Sequence, residues 1–87
     1  MTETDTVRIR VLAFARLREL LGFGEKDLNV PGGMSLDELF TQLATGAPGL
    51  AALRMSTRFA CNGELVDGNE TVSDGDEVAL LPPVGGG

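Results

Sequence analysis

Only one stretch of the chain carries a sustained helical stripe. Leu36, Leu39, Phe40, Leu43 and Ala44 recur at i, i+3, i+4, i+7 and i+8, the spacing by which an amphipathic helix lays one apolar face on a neighbour. Ser35 stands just before the stripe and Glu38 three residues later, so the hydroxyl caps free backbone donors while the carboxylate reaches back to complete a capping box. Asp37 and Glu38 also sit at the positive end of the helix dipole. Gly46, Pro48 and Gly49 terminate this helix, and Leu50 to Met55 supply one more short turn. A lone helix with one apolar face must bury it against another layer, and the rest of the chain offers mainly strands.

The opening element alternates with period two. Val7, Ile9, Val11 and Ala13 form one face and Arg8, Arg10, Leu12 and Phe14 the other, which predicts a strand. Its outer face starts with two arginines and ends with Leu12 and Phe14, leaving apolar surface exposed at the far end unless something covers it. Ala15 to Leu21 is a short helical turn with Leu17, Leu20 and Leu21 at helical spacing, closed by Gly22. Lys26 to Val30 is a brief strand ended by Pro31-Gly32-Gly33. Thr57 to Cys61 runs into Asn62-Gly63, a pair that favours the two positive-φ positions of a tight hairpin, and Glu64 to Val66 is the return strand. After the turn Asp74-Gly75-Asp76, Glu77 to Leu81 is apolar enough to belong in the middle of the sheet.

This order predicts an α+β fold of two layers, a mixed sheet of about five strands with one main helix packed on one face. Strongly apolar first and last strands would lie side by side at its centre, as in the ubiquitin-like β-grasp arrangement. The domain is expected over residues 1–81, with residues 1–6 disordered because they are too polar to fold, and residues 82–87 as an extended tail.

Composition removes several function classes. Seven basic residues against thirteen acidic ones give a net charge of −6, which repels a phosphate backbone and an anionic membrane, so neither nucleic acid nor membrane is expected as a partner. There is no histidine and a single cysteine, Cys61, which excludes histidine acid/base catalysis, Cys-His nucleophiles, zinc clusters and internal disulfides. No metal site and no bound cofactor are expected. Cys61 shares a face with Phe59 and reads as a small buried hydrophobe. The longest apolar run, Val11 to Ala15, is far below the ~20 residues a bilayer crossing needs, and with no visible signal peptide the expected location is the cytoplasm. Lys26 is the only lysine, so self-conjugation has one possible side-chain acceptor.

What chemistry remains rests with carboxylates or with the chain end, Pro82-Pro83-Val84-Gly85-Gly86-Gly87. Two consecutive prolines lack backbone donors and favour an extended, polyproline-like exit. Six residues at ~3.3–3.6 Å each reach on the order of 20 Å, enough to enter a partner's buried site. Glycines at the tip let it thread a channel too narrow for side chains. The plain alternative is a frayed terminus.

The stretch from Asp74 to Gly87 resembles the C-terminus of molybdopterin synthase small subunits: a turn of the type Asp-Gly-Asp-Glu-Val, an apolar strand, Pro-Pro-Val and a terminal diglycine. Val11 to Gly22 is similar to that family's first strand and helix, and Asn62 keeps its spacing to the final turn. Gly85 stands where the family varies, and thiamin-pathway carriers also end in three glycines.

The resemblance implies a non-catalytic, sulfur-donating subunit. An ATP-using, ubiquitin-activating-type adenylyltransferase would convert the Gly87 carboxylate, ionised and unreactive at neutral pH, into an acyl adenylate. A sulfur donor protein would then displace AMP and leave a thiocarboxylate, covalent sulfur on Gly87 rather than a bound cofactor. Pro82, Pro83, Val84, Gly85 and Gly86 would form the delivery tail. The acceptor would be the pterin precursor held in the synthase large subunit, within a heterotetramer of two small and two large chains. A dithiolene needs two sulfurs, hence two deliveries. Leu65 and Leu81 are similar to family positions that form the apolar contact with the large subunit, and Phe14, solvent-facing by the alternation of the first strand, would join them in one exposed patch, although Leu65 and Leu81 also read as ordinary core residues. Asp74, Asp76 and Glu77 would steer the tail towards a basic rim, or serve only as a turn and solvated edge. The competing destinations are a carrier for thiamin or cysteine biosynthesis, a ubiquitin-like protein modifier, and a β-grasp interaction module with an inert tail.

Overall fold

The computed structural model describes residues 5–83. In chain order these form β1 (Thr6–Ala13), α1 (Ala15–Leu21), β2 (Glu25–Pro31), α2 (Leu36–Thr45), a 3₁₀ helix (Pro48–Ser56), β3 (Arg58–Cys61), β4 (Glu64–Val66) and β5 (Glu77–Leu81). The strands make one mixed sheet in the order β2-β1-β5-β3-β4. The first and last strands are neighbours and parallel, Val11 facing Val78 and Ala13 facing Leu80, with β5 at the centre; the other pairings are antiparallel. This is the β-grasp topology expected from the apolar ends of the chain.

The inward side of the sheet presents Ile9, Val11, Ala13, Val30, Phe59, Val78 and Leu80, and the helices cover it with Leu17, Leu36, Leu39, Phe40 and Leu50, all within one buried cluster. Burial of each of these side chains larger than alanine stabilises the fold by roughly 1.5–3 kcal/mol relative to exposure, so this shared face rather than helix propensity holds α2 in place. The capping box forms: the Glu38 N–H donates to Ser35 Oγ at 3.1 Å and the Ser35 N–H to Glu38 Oε1 at 2.9 Å. Asn62 and Gly63 adopt φ of 52° and 88°, the two positive values that a tight hairpin between β3 and β4 demands.

The structure departs from the sequence pattern in four places. The ladder starts at Thr6, opposite Pro31, and the Gly32 N–H donates to the Asp5 carbonyl at 2.9 Å, so the disorder expected over residues 1–6 does not reach these two; residues 1–4 lie outside the described range. Backbone pairing is indifferent to side-chain polarity at an edge. β1 ends at Ala13, and Phe14 is the N-cap of α1 in extended conformation (φ −129°, ψ 155°) instead of a strand residue. The turn expected over Leu50 to Met55 is a longer 3₁₀ helix that Pro48 opens. Finally, residues 67–72, to which the sequence assigned no element, are pinned to the start of α2. The Leu36 N–H donates to the Glu70 carbonyl at 2.9 Å and the Asp37 N–H to the Gly68 carbonyl at 2.8 Å, while Val72 inserts into the core. Those bonds satisfy donors that a helix N-terminus otherwise leaves to solvent.

Arg54 locks the same corner. Its Nε donates to Asp37 Oδ1 at 2.8 Å, and its guanidinium lies 4.7 Å from the Phe59 ring centroid and 5.8 Å from that of Phe40. Gly68 is where that pair approaches the backbone most closely: a Cβ there would collide with both the Asp37 carboxylate and the guanidinium. No helix among the described residues is long and apolar enough to cross a membrane.

Candidate functional site

Residues paired across neighbouring strands point to the same side of a sheet, so the register sorts the two faces. Since Val11, Val78, Leu80 and Phe59 point into the core, the opposite face carries Leu12 facing Ala79, Ala60 between Ala79 and Leu65, and Leu81 facing Arg58. Leu65 is 65% exposed and Phe14 44%, while Leu12, Ala79 and Leu81 are half-buried. Phe14 keeps the outward direction of β1 because its backbone is still extended, and the register that puts Ala13 opposite Leu80 sets it beside Leu81. The core reading therefore fails for Leu65, and Leu81 lies outside the buried cluster. The three residues Phe14, Leu65 and Leu81 share one uncovered face.

That face is divided by charge. At the end where β5 begins, Arg10 Nε meets Asp27 at 3.2 Å and Glu25 at 3.4 Å, and Arg8 meets Asp27 at 3.6 Å. At the end where β5 finishes, the side chains are apolar apart from Arg58 and the neighbouring Asp67. Pro82, half-buried, and Pro83, exposed, follow Leu81 directly and bring no backbone donor to continue the ladder. The tail thus leaves the central strand at the apolar end of the face. Val84, Gly85, Gly86 and Gly87 lie outside the described residues.

The acidic residues expected beside the tail are elsewhere. Asp74 and Asp76 precede β5 and Glu77 begins it, and four steps of ~3.3 Å separate Glu77 from Leu81, about 13 Å. The oxygens of the two aspartates are engaged in the turn: Asp74 Oδ1 accepts from the Arg8 N–H at 2.9 Å, and Asp76 accepts from the Ser73 N–H at 2.8 Å and from Asn62 Nδ2 at 2.9 Å. Asn62 Oδ1 in turn accepts from the Glu77 N–H at 2.9 Å. Asn62 therefore both shapes the β3–β4 hairpin and ties it to the last turn.

Cys61 is half-buried where full burial was expected. Burial first, and the Asp76 carboxylate second, push its thiol up to about 11, so almost no thiolate exists at neutral pH. Among the described residues no cluster of carboxylate and thiol groups has the arrangement of a metal site. The sequence did not single out Arg58, Ala60 or Ala79, although the alternation within β3 and β5 places all three on the outer face.

Comparison with known proteins adds family information to this geometry. The model of the ThiS family matches residues 11–87. The chain is 35% identical over 85 residues to a molybdopterin synthase sulfur carrier subunit of Arabidopsis thaliana, covering 98% of this chain and 88% of the relative. Among solved structures it is similar to a Pyrococcus furiosus chain assigned to molybdopterin converting factor as its subunit 1 (TM-score 0.79, 28% identity, 90% of this chain and 99% of that one). It is also similar to small archaeal modifier protein 1 of H. volcanii (TM-score 0.76, 26% identity, 90% and 99%). A further match is to a chain in the complex of subunits 1 and 2 of the molybdopterin-converting factor from Helicobacter pylori (TM-score 0.61, 28% identity, 93% and 100%).

Proposed function

The chain belongs to the ThiS family, and on that premise we propose that it is the sulfur carrier subunit of molybdopterin synthase, with a large subunit as its partner. The observation that carries this reading is the match to a sulfur carrier subunit over 98% of the chain, because the β-grasp fold by itself is shared with protein modifiers. The H. pylori complex, in which a similar chain is paired with subunit 2, supports the large-subunit partner.

Activation starts from the carboxylate of Gly87, which is ionised at neutral pH and so a poor electrophile. One of its oxygens attacks the α-phosphate of ATP on a ubiquitin-activating-type adenylyltransferase, pyrophosphate leaves, and the acyl adenylate forms. The terminal sulfur of a donor protein's persulfide attacks the acyl carbon, AMP departs with that oxygen, and a thiol reduces the resulting acyl disulfide, leaving a thiocarboxylate on Gly87 and a disulfide on the thiol side. The chain supplies neither histidine nor thiolate as a general base for these steps, since it has no histidine and burial keeps the Cys61 thiol protonated. Its own contributions are position and reach. Pro82 and Pro83 direct the chain off β5, Val84 to Gly86 carry Gly87 into the partner's site, and Phe14, Leu65 and Leu81 dock the body. Inside the large subunit the sulfur is transferred to the pterin precursor, and two carriers, one for each sulfur of the dithiolene, fit a heterotetramer of two small and two large chains. Activation by ATP goes with a cytoplasmic location.

The destination is tested by offering the thiocarboxylated chain separately to a molybdopterin synthase large subunit with pterin precursor, to a thiazole synthase and to a cysteine synthase. Dithiolene formation with the first alone is the expected result. Sulfur transfer to either of the others, or isopeptide conjugates on cellular proteins without dithiolene formation, would move the chain to another branch of its family.

A further inference from the structure

Six arginines are present, and four of them, Arg8, Arg10, Arg16 and Arg54, have a carboxylate partner within the chain. Arg18 and Arg58 form no ion pair among the described residues, and Arg58 is the one that faces Leu81 at the apolar end of the docking face. Leu81 lies directly opposite it on β5 and Leu65 on the diagonal, beyond Ala60 on β4. Its nearest carboxylate in the register is Asp67, which follows Val66, the partner of Phe59. Both residues line a shallow depression of about 210 Å³ with Phe59, Leu65 and Val66, yet they do not pair.

We propose that Arg58 is the specificity-determining charge of the docking face and takes a carboxylate presented by the large subunit; this rests on the sulfur-carrier reading above. A surface that covers Leu65 and Leu81 also covers the guanidinium that adjoins both. Removing a guanidinium from water without a partner is strongly unfavourable, so a complementary surface must bring an anion to it. A carboxylate fits, since the planar fork of arginine accepts it bidentately and the surrounding leucines exclude water from the pair. The charge stands out against the molecule, whose net charge is −6: an acidic patch on the partner is repelled by most of this surface and attracted at the tail exit. Arg58 thereby orients the carrier so that the chain beyond Pro82 leaves towards the partner's site. It touches no reacting atom; it is a positioning and selecting residue.

The test is the affinity of the intact chain and of Arg58→Leu, Arg58→Lys and Asp67→Asn variants for the large subunit, measured from low to physiological salt, with thermal unfolding of each. Arg58→Leu is expected to weaken binding by about 30-fold or more at low salt, because it strands the partner's carboxylate, and to flatten the salt dependence while the exposed site leaves the melting temperature unchanged. Arg58→Lys should restore binding to within about tenfold, and Asp67→Asn should leave it unchanged or slightly tighter. Wild-type affinity and salt dependence in Arg58→Leu would overturn the proposal. So would a loss in Asp67→Asn equal to that in Arg58→Leu, which would make the chain's own carboxylate the partner. Failure of the unaltered chain to bind the large subunit at all would overturn the sulfur-carrier reading itself, a result distinguishable from either.

Discussion

Cys61 and Asp76 titrate against each other at the hairpin. With the thiol pushed up to about 11 by burial and by Asp76, alkylation by iodoacetamide at neutral pH should be far slower than for a free cysteine, and should accelerate only as the pH approaches that value. Asp76→Asn removes the neighbouring charge and should lower the thiol's pKa, which a pH series of alkylation rates will detect. For Asp76 itself, burial raises the pKa, but the Asn62 amide, the Ser73 N–H and the Cys61 thiol outweigh it, and the net shift is downward. A carboxylate lowered on folding contributes stability that is present above its unfolded pKa of ~3.9 and lost as the pH falls through the folded value. The stability that Asp76 contributes should therefore fall away below about pH 4, and Asp76→Asn should make stability flatter across that range. On the docking face, Phe14→Ala or Leu81→Ala should weaken binding to the large subunit by ~1–3 kcal/mol by titration calorimetry, if those side chains anchor the contact. Unchanged affinity with the fold intact would remove both from it.

Single elements were largely legible because each announces itself locally. The stripe from Leu36 to Ala44 with its Ser35–Glu38 box gave α2, and Asn62-Gly63 gave the β3–β4 hairpin, since these depend on neighbours three or four residues away. Ser35→Ala should accordingly cost about 1 kcal/mol of stability in chemical denaturation. Gly63→Ala should cost roughly 1–2 kcal/mol, because φ of 88° is strained for any side chain. The pinning of residues 67–72 on α2, the Arg54–Asp37 lock and the close approach at Gly68 left no local pattern. They join positions far apart in sequence, and a glycine needed for contact looks in the sequence like a glycine needed for a turn. Asp74, Asp76 and Glu77 were misplaced for a related reason: they are close to the tail along the chain, but a strand of five residues sends its two ends to opposite edges of the sheet. Arg58 escaped notice because an arginine at the start of a short strand looks like ordinary solvated surface until the register shows Leu81 across from it.

For the molecule as a whole, the account divides body from tail. The residues described, 5–83, already form a buried core, a five-stranded sheet and the docking face, so deletion of Gly87 should leave the melting temperature unchanged and preserve competition for the large subunit, while sulfur delivery is lost. A melt lowered by several degrees would make the terminus part of the fold. The measurement that bears most directly on the central claim is the intact mass of the chain after incubation with ATP, the activating enzyme and a sulfur donor. The account predicts an adenylate without the donor and, with it, a species heavier by the difference between one sulfur and one oxygen, localised to Gly87 by fragmentation and absent from the chain lacking Gly87. A spectrum showing neither product under conditions that activate a known carrier, or the same mass gain in the truncated chain, would contradict it.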